Sequence, residues 1–473
     1  MDGLTLSRTD GQTLVEQVME ALRTRIAGRK AAPGTKLPSI RQLADQLGVS
    51  RSTVVEAYDR LVAEGIVQSR RGSGFYVAGH LPPFSLSDSG PALAREIDPL
   101  RITRQALESR HIRANPGCGW LPSSWMPQEE IRRALRSLAR APEAGLTEYG
   151  TPLGLPELRG LLSVRMADSG VEAYPDQIML TESGTQALDL VCRLLLEPGD
   201  RVLIDDPCYF NFLALFRAHR VEAIGVPRTP AGPDLDAFEA ALKEHRPRLY
   251  ITNSGPHNPT GTVISPVTCH RILRLAEAHD LLIVEDDIFA DFEERPAPRL
   301  AAFDGLQRVV QIGSFSKTLS ASIRCGYIAA RTEWADALVD LKLATSFGGG
   351  AMSAELLLLL LKEGSYRRHV QTMRNRLSGA MNALIPQLKD IGITPWYMPE
   401  AGVFLWCRLP DGIDGAALTR AAWEDGIVLA PGNAFSVSQN CGGLMRFNVA
   451  QMQETAIIAD LARLLSGSTE MLH

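Results

Sequence analysis

Lys317 closes the run Gly313-Ser314-Phe315-Ser316-Lys317, directly behind the apolar stretch Val309-Val310-Gln311-Ile312. A primary amine among small residues and hydroxyls at the end of a predicted strand is a nucleophile with room beside it for a planar ring. Asp286 follows the apolar run LLIVE, and a carboxylate buried there is costly unless a cation such as a pyridinium faces it. Ser183, Gly184 and Thr185 stand in TESGTQALDL between a predicted strand and a predicted helix, where free backbone amides bind phosphate. Arg324, seven residues beyond Lys317, can bring a guanidinium to the same phosphate. Asn258 in HNPTG can donate to a phenolic oxygen, and Tyr209 in DDPCYFN can stack on a ring. A lysine, an acid for a ring nitrogen, a phosphate cradle and an aromatic face are together what pyridoxal phosphate requires. Singly, each has a plainer explanation: a surface lysine, a helix-cap aspartate, a structural turn at Asn258, a core aromatic at Tyr209.

A second set of residues suits nucleic acid. Ser50, Arg51, Ser52 and Thr53 open a predicted helix, Arg41 lies on the helix before it, and Arg70 and Arg71 sit in a tight glycine-containing turn. The second helix of a helix-turn-helix presents its N-terminal residues to base edges, and an arginine there can donate two parallel bonds to guanine. Neighbouring hydroxyls and amides hold phosphates. Charge supports this only weakly: residues 1–80 carry eleven Lys/Arg against eight Asp/Glu, net +3, in a chain of net charge −5. A small helical cap with a solvated charged face would show the same balance.

The elements that must position these residues are legible in the apolar spacing. Leu14, Val18, Leu22 and Ile26 fall four apart, the stripe of an amphipathic helix that stops before Pro33-Gly34. Ser39 caps a second helix, IRQLADQL, which ends at Gly48, and Ser50 caps a third, which ends at Gly65. IVQSRRGSGFYV reads as two short strands around Arg70-Arg71-Gly72-Ser73-Gly74. Three helices and a basic hairpin make a winged helix-turn-helix, residues 1–80. Residues 81–110, rich in Pro and Ser without sustained period, read as a linker. In residues 111–473 apolar runs at 177–180, 201–204, 249–252, 281–284 and 309–312 alternate with helical stretches, which predicts an α/β domain with a largely parallel sheet. Ligands of such sheets bind at the carboxyl ends of the strands, where the cofactor candidates lie. The 473 residues, 45% hydrophobic and 22% charged, fit an ordinary globular chain of several domains. The longest aliphatic run, Leu356–Leu361, is far short of the roughly 20 residues a membrane span needs. The charged first thirty residues do not read as a secretory signal, so the expected location is the cytoplasm. Seven scattered cysteines form no Cys-x-x-Cys pair, and neither a metal site nor structural disulfides are expected.

The string GTKLPSIRQLADQLGVSRSTVVEAYDRLVAEGIVQSRRGSGFYV resembles the winged-helix domain of GntR-type bacterial transcription regulators. That resemblance implies DNA contacts from Arg41, Ser50, Arg51, Ser52, Thr53 and Arg71. Tyr149-Gly150, Ser183-Gly184-Thr185, Tyr209, Asn258-Pro259-Thr260-Gly261, Asp286, Ser314-x-Ser316-Lys317, Arg324 and Arg446 resemble, in order and spacing, the fold-type I aminotransferases. The implied architecture is a mostly parallel sheet with helices on both faces plus a small C-terminal α+β subdomain. The implied roles are the Schiff base for Lys317, the pyridine nitrogen for Asp286 and the phenolic oxygen for Asn258. Ser183, Gly184, Thr185, Ser314 and Arg324 then surround the phosphate, Tyr209 stacks on the ring, and Arg446 clamps a substrate or effector carboxylate. Tyr149 resembles the tyrosine that reaches a neighbouring subunit's phosphate, which implies a homodimer. The combination resembles the MocR subfamily of regulators. The expectation is therefore a transcription regulator that binds a double-stranded operator and senses pyridoxal phosphate or an amine or amino-acid effector. The rival is an active aminotransferase carrying a DNA-binding domain. Two departures stand out: Ile288 where many relatives have a tyrosine, and Ala321-Ser322 in place of a frequent Pro-Gly.

Overall fold

The structure, a computed structural model, describes residues 13–27, 34–70, 73–78, 99–108, 112–140 and 147–470. The chain divides into two compact units, Met1–Asp88 and Ser89–His473. In the first, α1 (Leu14–Ala27), α2 (Ile40–Leu47) and α3 (Arg51–Ala63) precede an antiparallel hairpin of β1 (Val67–Arg70) and β2 (Gly74–Val77). The α1 stripe points inward at Val18, Leu22 and Ile26, while Leu14 in its first turn is 45% exposed. Ser39 and Gln42 cap α2 reciprocally, each side chain accepting from the other's backbone N–H. The helix ends at Gly48, whose φ of 64° is free of steric cost only for glycine. Fully buried Tyr58 stacks on Phe75 with centroids 4.4 Å apart and donates its hydroxyl to the Pro38 carbonyl at 2.7 Å. One side chain thus ties α3 to the hairpin and to the start of α2.

The second unit begins with α4 (Pro99–Glu108), which lies within the segment read as a linker. Its signal was one short apolar pair, Ile102 and Ala106, and Ile102 is buried against Phe210, Trp406 and Phe435, partners far off in sequence. The rest of that segment, 81–98 and 109–110, lies outside the described residues.

Eight strands form the main sheet: β3 (Ile178–Thr181), β4 (Arg201–Asp206), β5 (Glu222–Thr229), β6 (Gly232–Pro233), β7 (Leu249–Thr252), β8 (Leu282–Asp286), β9 (Val309–Ser314) and β10 (Gly326–Ala329), in the order β3-β10-β9-β8-β7-β4-β5-β6. The pairs β4/β5, β4/β7, β7/β8 and β8/β9 are parallel, and β10 runs antiparallel to both its neighbours. Each of the five apolar runs forms the greater part of a strand. Both faces are covered, which explains why those runs are apolar without alternation. Leu203, Tyr250, Ile283 and Val309 face a core shared with α5 (Gln128–Leu138) and α6 (Pro156–Ala167), and the alternate residues Ile204, Ile251, Val284 and Val310 face one shared with α7 (Gly184–Leu195). A smaller four-stranded antiparallel sheet, 394–395, 404–408, 444–448 and 430–431 in spatial order, packs with the C-terminal helices. The 26-residue helix Ser365–Asp390 joins the two cores, placing Tyr366 and Val370 in the first and Met373 through Leu388 in the second. All seven cysteines are buried free thiols. Among the described residues no single helix is long and apolar enough to cross a membrane.

Candidate functional site

A cavity of about 130 Å³ lies beyond the carboxyl ends of the strands. Asp286 and Ser314 are the last residues of β8 and β9, and Ser183 stands two residues past β3. Ser183 caps α7, its hydroxyl accepting from the Gln186 amide at 3.0 Å, so its side chain shapes the helix entry while the first-turn amides of Gly184 and Thr185 have no intrahelical acceptor. A Cβ on Gly184 would stand 3.6 Å from Ser314 and narrow this cradle. The Ser314 hydroxyl accepts from the Ser316 amide and donates to the Cys325 carbonyl, both at 3.2 Å. Arg324, an exposed residue, adopts a left-handed φ of 52° and lines the same cavity. Gly326 follows where a Cβ would fall 2.7 Å from the Ser183 carbonyl carbon, so the close approach of β10 to the cradle demands glycine.

Deeper in, Asp286 accepts from the Ile288 amide at 3.1 Å, and burial raises its carboxyl to about 6. Burial lowers Lys317 to about 8 and raises the Tyr209 phenol. Asn258, 3% exposed, accepts from Arg446 at 2.8 Å through its carbonyl oxygen, which leaves its amide nitrogen to donate toward the cavity. Arg446 is itself 1% exposed, held between the rings of Phe404 and Phe435 and bonded to the Gly117 carbonyl at 2.6 Å. Its buried Nε has no partner, and burial lowers the guanidinium to about 10.

Ser183, Gly184, Thr185, Tyr209, Asn258, Asp286, Ser314, Lys317 and Arg324 therefore come together around one cavity. Arg446 sits behind Asn258, and Tyr149 stands apart, 78% exposed against Phe347. The chemistry of the set fits pyridoxal phosphate. An acid that burial raises despite the nearby Lys317 charge suits a pyridinium, amides at a helix start and Arg324 suit a phosphate, and the lysine is desolvated toward its reactive form.

Several residues of the site escaped the sequence reading. Asn253, directly past β7, donates to the Asp286 carbonyl at 2.9 Å, and the strand-end argument that found Asp286 would have found it. Gly119 and Phe289 also line the cavity, beside Ile288, which the sequence had marked as a departure. A buried network fixes the turn bearing Asn258: Asp205 accepts from Arg228 at 2.8 Å, Tyr250 at 2.7 Å and Thr252 at 2.6 Å, with His257 at 3.4 Å. Burial alone would raise Asp205, but the Arg228 guanidinium holds it at about 2.

In the first unit, Ser50 caps α3 by accepting from the Thr53 amide at 3.1 Å, and its hydroxyl lies 2.7 Å from that of Ser52. Arg41, Arg51 and Ser52 are exposed, and Thr53 is half-buried. Arg70 lies over the Tyr76 ring at 4.4 Å, and Arg71 lies outside the described residues.

Residues 121–463 match the family described as "Aminotransferase class I and II", and residues 14–77 match "Bacterial regulatory proteins, gntR family". Similar proteins include the HTH-type transcriptional regulator YdcR of Escherichia coli, 29% identical over 92% of this chain and 94% of its own length. The probable rhizopine catabolism regulatory protein MocR of Rhizobium meliloti is 29% identical over 90% of this chain and 88% of its own. Among solved structures, LysN, the α-aminoadipate aminotransferase of Thermus thermophilus solved with N-(5'-phosphopyridoxyl)-L-leucine, superposes with a TM-score of 0.70 at 27% identity, covering 78% of this chain and 98% of that one. The kynurenine aminotransferase of Pyrococcus horikoshii superposes at 0.72 with 26% identity, covering 81% and 97%.

Proposed function

The chain belongs to the aminotransferase class I and II family and carries a GntR-type domain at residues 14–77, and from that premise we propose that it is a MocR-type, cytoplasmic, homodimeric transcription regulator whose larger unit binds pyridoxal phosphate and senses it or an amine-bearing effector. The observation that carries the reading is the convergence of nine residues, Lys317 among them, around one cavity, in a chain that also has a complete capped helix for the major groove. When bound, pyridoxal phosphate supplies an electrophilic carbonyl to amines.

The residues then divide the work. Lys317, lowered to about 8, keeps a fraction of its amine unprotonated near neutral pH and so can act as the nucleophile. Asp286, ionised above about 6, holds a proton on the ring nitrogen. Gly184, Thr185 and Arg324 receive the phosphate, helped by Ser183 and Ser314 and, from a second subunit, by Tyr149. Asn258 donates to the phenolic oxygen, and Arg446, with its Nε unpaired, orients a carboxylate. At the other unit, Arg51 reads bases and Arg41, Ser50, Ser52, Thr53, Arg70 and Arg71 hold phosphates.

The rival, an active aminotransferase with a DNA-binding domain, draws support from the completeness of the lysine and acid pair. Ile288 weighs against efficient turnover, because an aliphatic side chain lines the cavity where a tyrosine hydroxyl would assist. Titration of operator DNA with and without pyridoxal phosphate and single amino acids, alongside assays for keto-acid product, decides between them. Operator affinity that ignores every ligand, together with multiple turnovers, would favour the enzyme.

A further inference from the structure

A second cavity, of about 480 Å³, opens on the other side of Ile288 and Ser314, the two residues it shares with the cofactor cavity. Asp287 and Glu293 stand in its wall, and one guanidinium serves both: Arg299 lies 2.7 Å from each. The same arginine also faces Glu285, fully buried and bonded to the Leu300 and Ala301 amides. Three buried carboxylates thus share a single cation, an arrangement that a low-dielectric interior penalises unless another positive charge arrives. Burial among these acids pushes the Asp287 carboxyl well above the usual carboxylate range.

The other arginines at the wall do not fill the gap. Arg165 pairs with Asp291 at 2.8 Å and lies against the rings of Phe315 and Tyr366, and Arg374 donates to the Asp291 carbonyl at 2.9 Å. Arg367 is exposed at the mouth, as are Asp168 and Glu294. An independent observation points to a ligand. Gln311, 1% exposed and lining this cavity, donates to Asp287 at 3.1 Å, which turns its carbonyl oxygen away, and that oxygen has no partner. An orphan acceptor beside an excess of carboxylates calls for a donor bearing positive charge. The space exceeds what a bare ion needs, and Leu162, Met166 and Val370 give it an apolar side.

We propose that this cavity binds a small organic cation, an alkylamine or alkylguanidine, its head received by Asp287, Glu293 and the Gln311 carbonyl and its body lying on Leu162, Met166 and Val370. The site is separate from the cofactor cavity and does not depend on the function proposed for it. Its position gives occupancy a route to that cavity: Asp287 adjoins Asp286, and Tyr366 donates to the hydroxyl of Thr318, the residue after Lys317, at 3.1 Å.

The test is calorimetric titration of the full-length protein, saturated with pyridoxal phosphate, with n-butylguanidinium, with the neutral near-isostere n-butylurea, and with potassium chloride. Saturable binding of butylguanidinium alone is expected, weakened roughly tenfold or more by Gln311→Leu and by Asp287→Asn. Gln311→Leu leaves the Arg299 ion pairs intact, so it reports even if Asp287→Asn fails to fold. No binding of butylguanidinium, equal binding of the urea, competition by potassium at the same site, or wild-type affinity in the Gln311 variant would each overturn the proposal.

Discussion

Asp286 and Lys317 are ionisable groups whose charge burial disfavours, and each leaves a signature that can be measured. Covalently held pyridoxal phosphate absorbs visible light, so the purified protein is expected to be yellow and Lys317→Ala colourless; an unchanged spectrum in the variant would remove Lys317 from its role. The folded chain holds the Asp286 proton up to about 6, whereas an exposed carboxyl gives it up near 3.8. In the cofactor-free protein the unfolded chain therefore releases protons first, and stability falls as pH rises through that window. Asp286→Asn removes this penalty, so the variant should gain on the order of 2–3 kcal/mol over the cofactor-free wild type between pH 4 and 7. Added pyridoxal phosphate should erase the advantage, because the ring nitrogen then supplies the missing cation. Urea denaturation at several pH values would show it, and a pH-independent difference would mean that Asp286 is not desolvated. At the DNA-reading end, Arg51→Ala should cost roughly 1–3 kcal/mol and relax discrimination at one base pair, read by gel shifts on cognate and scrambled sequences. Equal wild-type affinity for both would refute that assignment.

At the scale of elements, each helix that carries a proposed contact is placed by its cap. Ser39 and Gln42 satisfy two backbone donors at the start of α2, on which Arg41 is exposed. Ser39→Ala should lower the stability of the N-terminal unit by about 0.5–2 kcal/mol, seen as an earlier thermal transition, with DNA affinity reduced alike for all sequences. A selective loss for one operator base would instead make Ser39 a reading residue. In the main sheet β3, β4, β7, β8 and β9 were legible from short apolar stretches, whereas β10, buried at three of its four residues, was not read. β5, with polar ends and Pro227 inside it, carries no such run and was missed. The helix Pro99–Glu108 was missed for another reason: Ile102 is held by Phe210, Trp406 and Phe435, a contact that no local spacing announces.

At the scale of the whole molecule, joining a GntR-type unit to an aminotransferase-family unit has a regulatory use only if their equilibria are linked. A ligand in the larger unit can shift operator affinity by no more than its preference between two conformations, typically 1–3 kcal/mol or about 5–150-fold. Linkage is reciprocal, so operator DNA must change the affinity for pyridoxal phosphate or for its amine ligand by the same factor. Binding curves recorded with and without operator should separate accordingly, and superimposable curves for every ligand would leave the regulator reading without support.

The sequence alone determined the class of each unit and picked out nine of the residues that line the candidate cavity. Strand-end lysine, strand-end acid, Ser-Gly-Thr turn and capped helix are local patterns whose chemistry follows from residue type and spacing. Only the tertiary structure decided what surrounds them. The partner that turns the Asn258 amide, Arg446, is 188 residues distant, and the Asp205 network that anchors the same turn joins three strands. The same holds for the shared burden of Arg299 and the orphan oxygen of Gln311. Burial, charge balance and unpaired acceptors are properties of packing between distant segments, and one-dimensional spacing does not contain them.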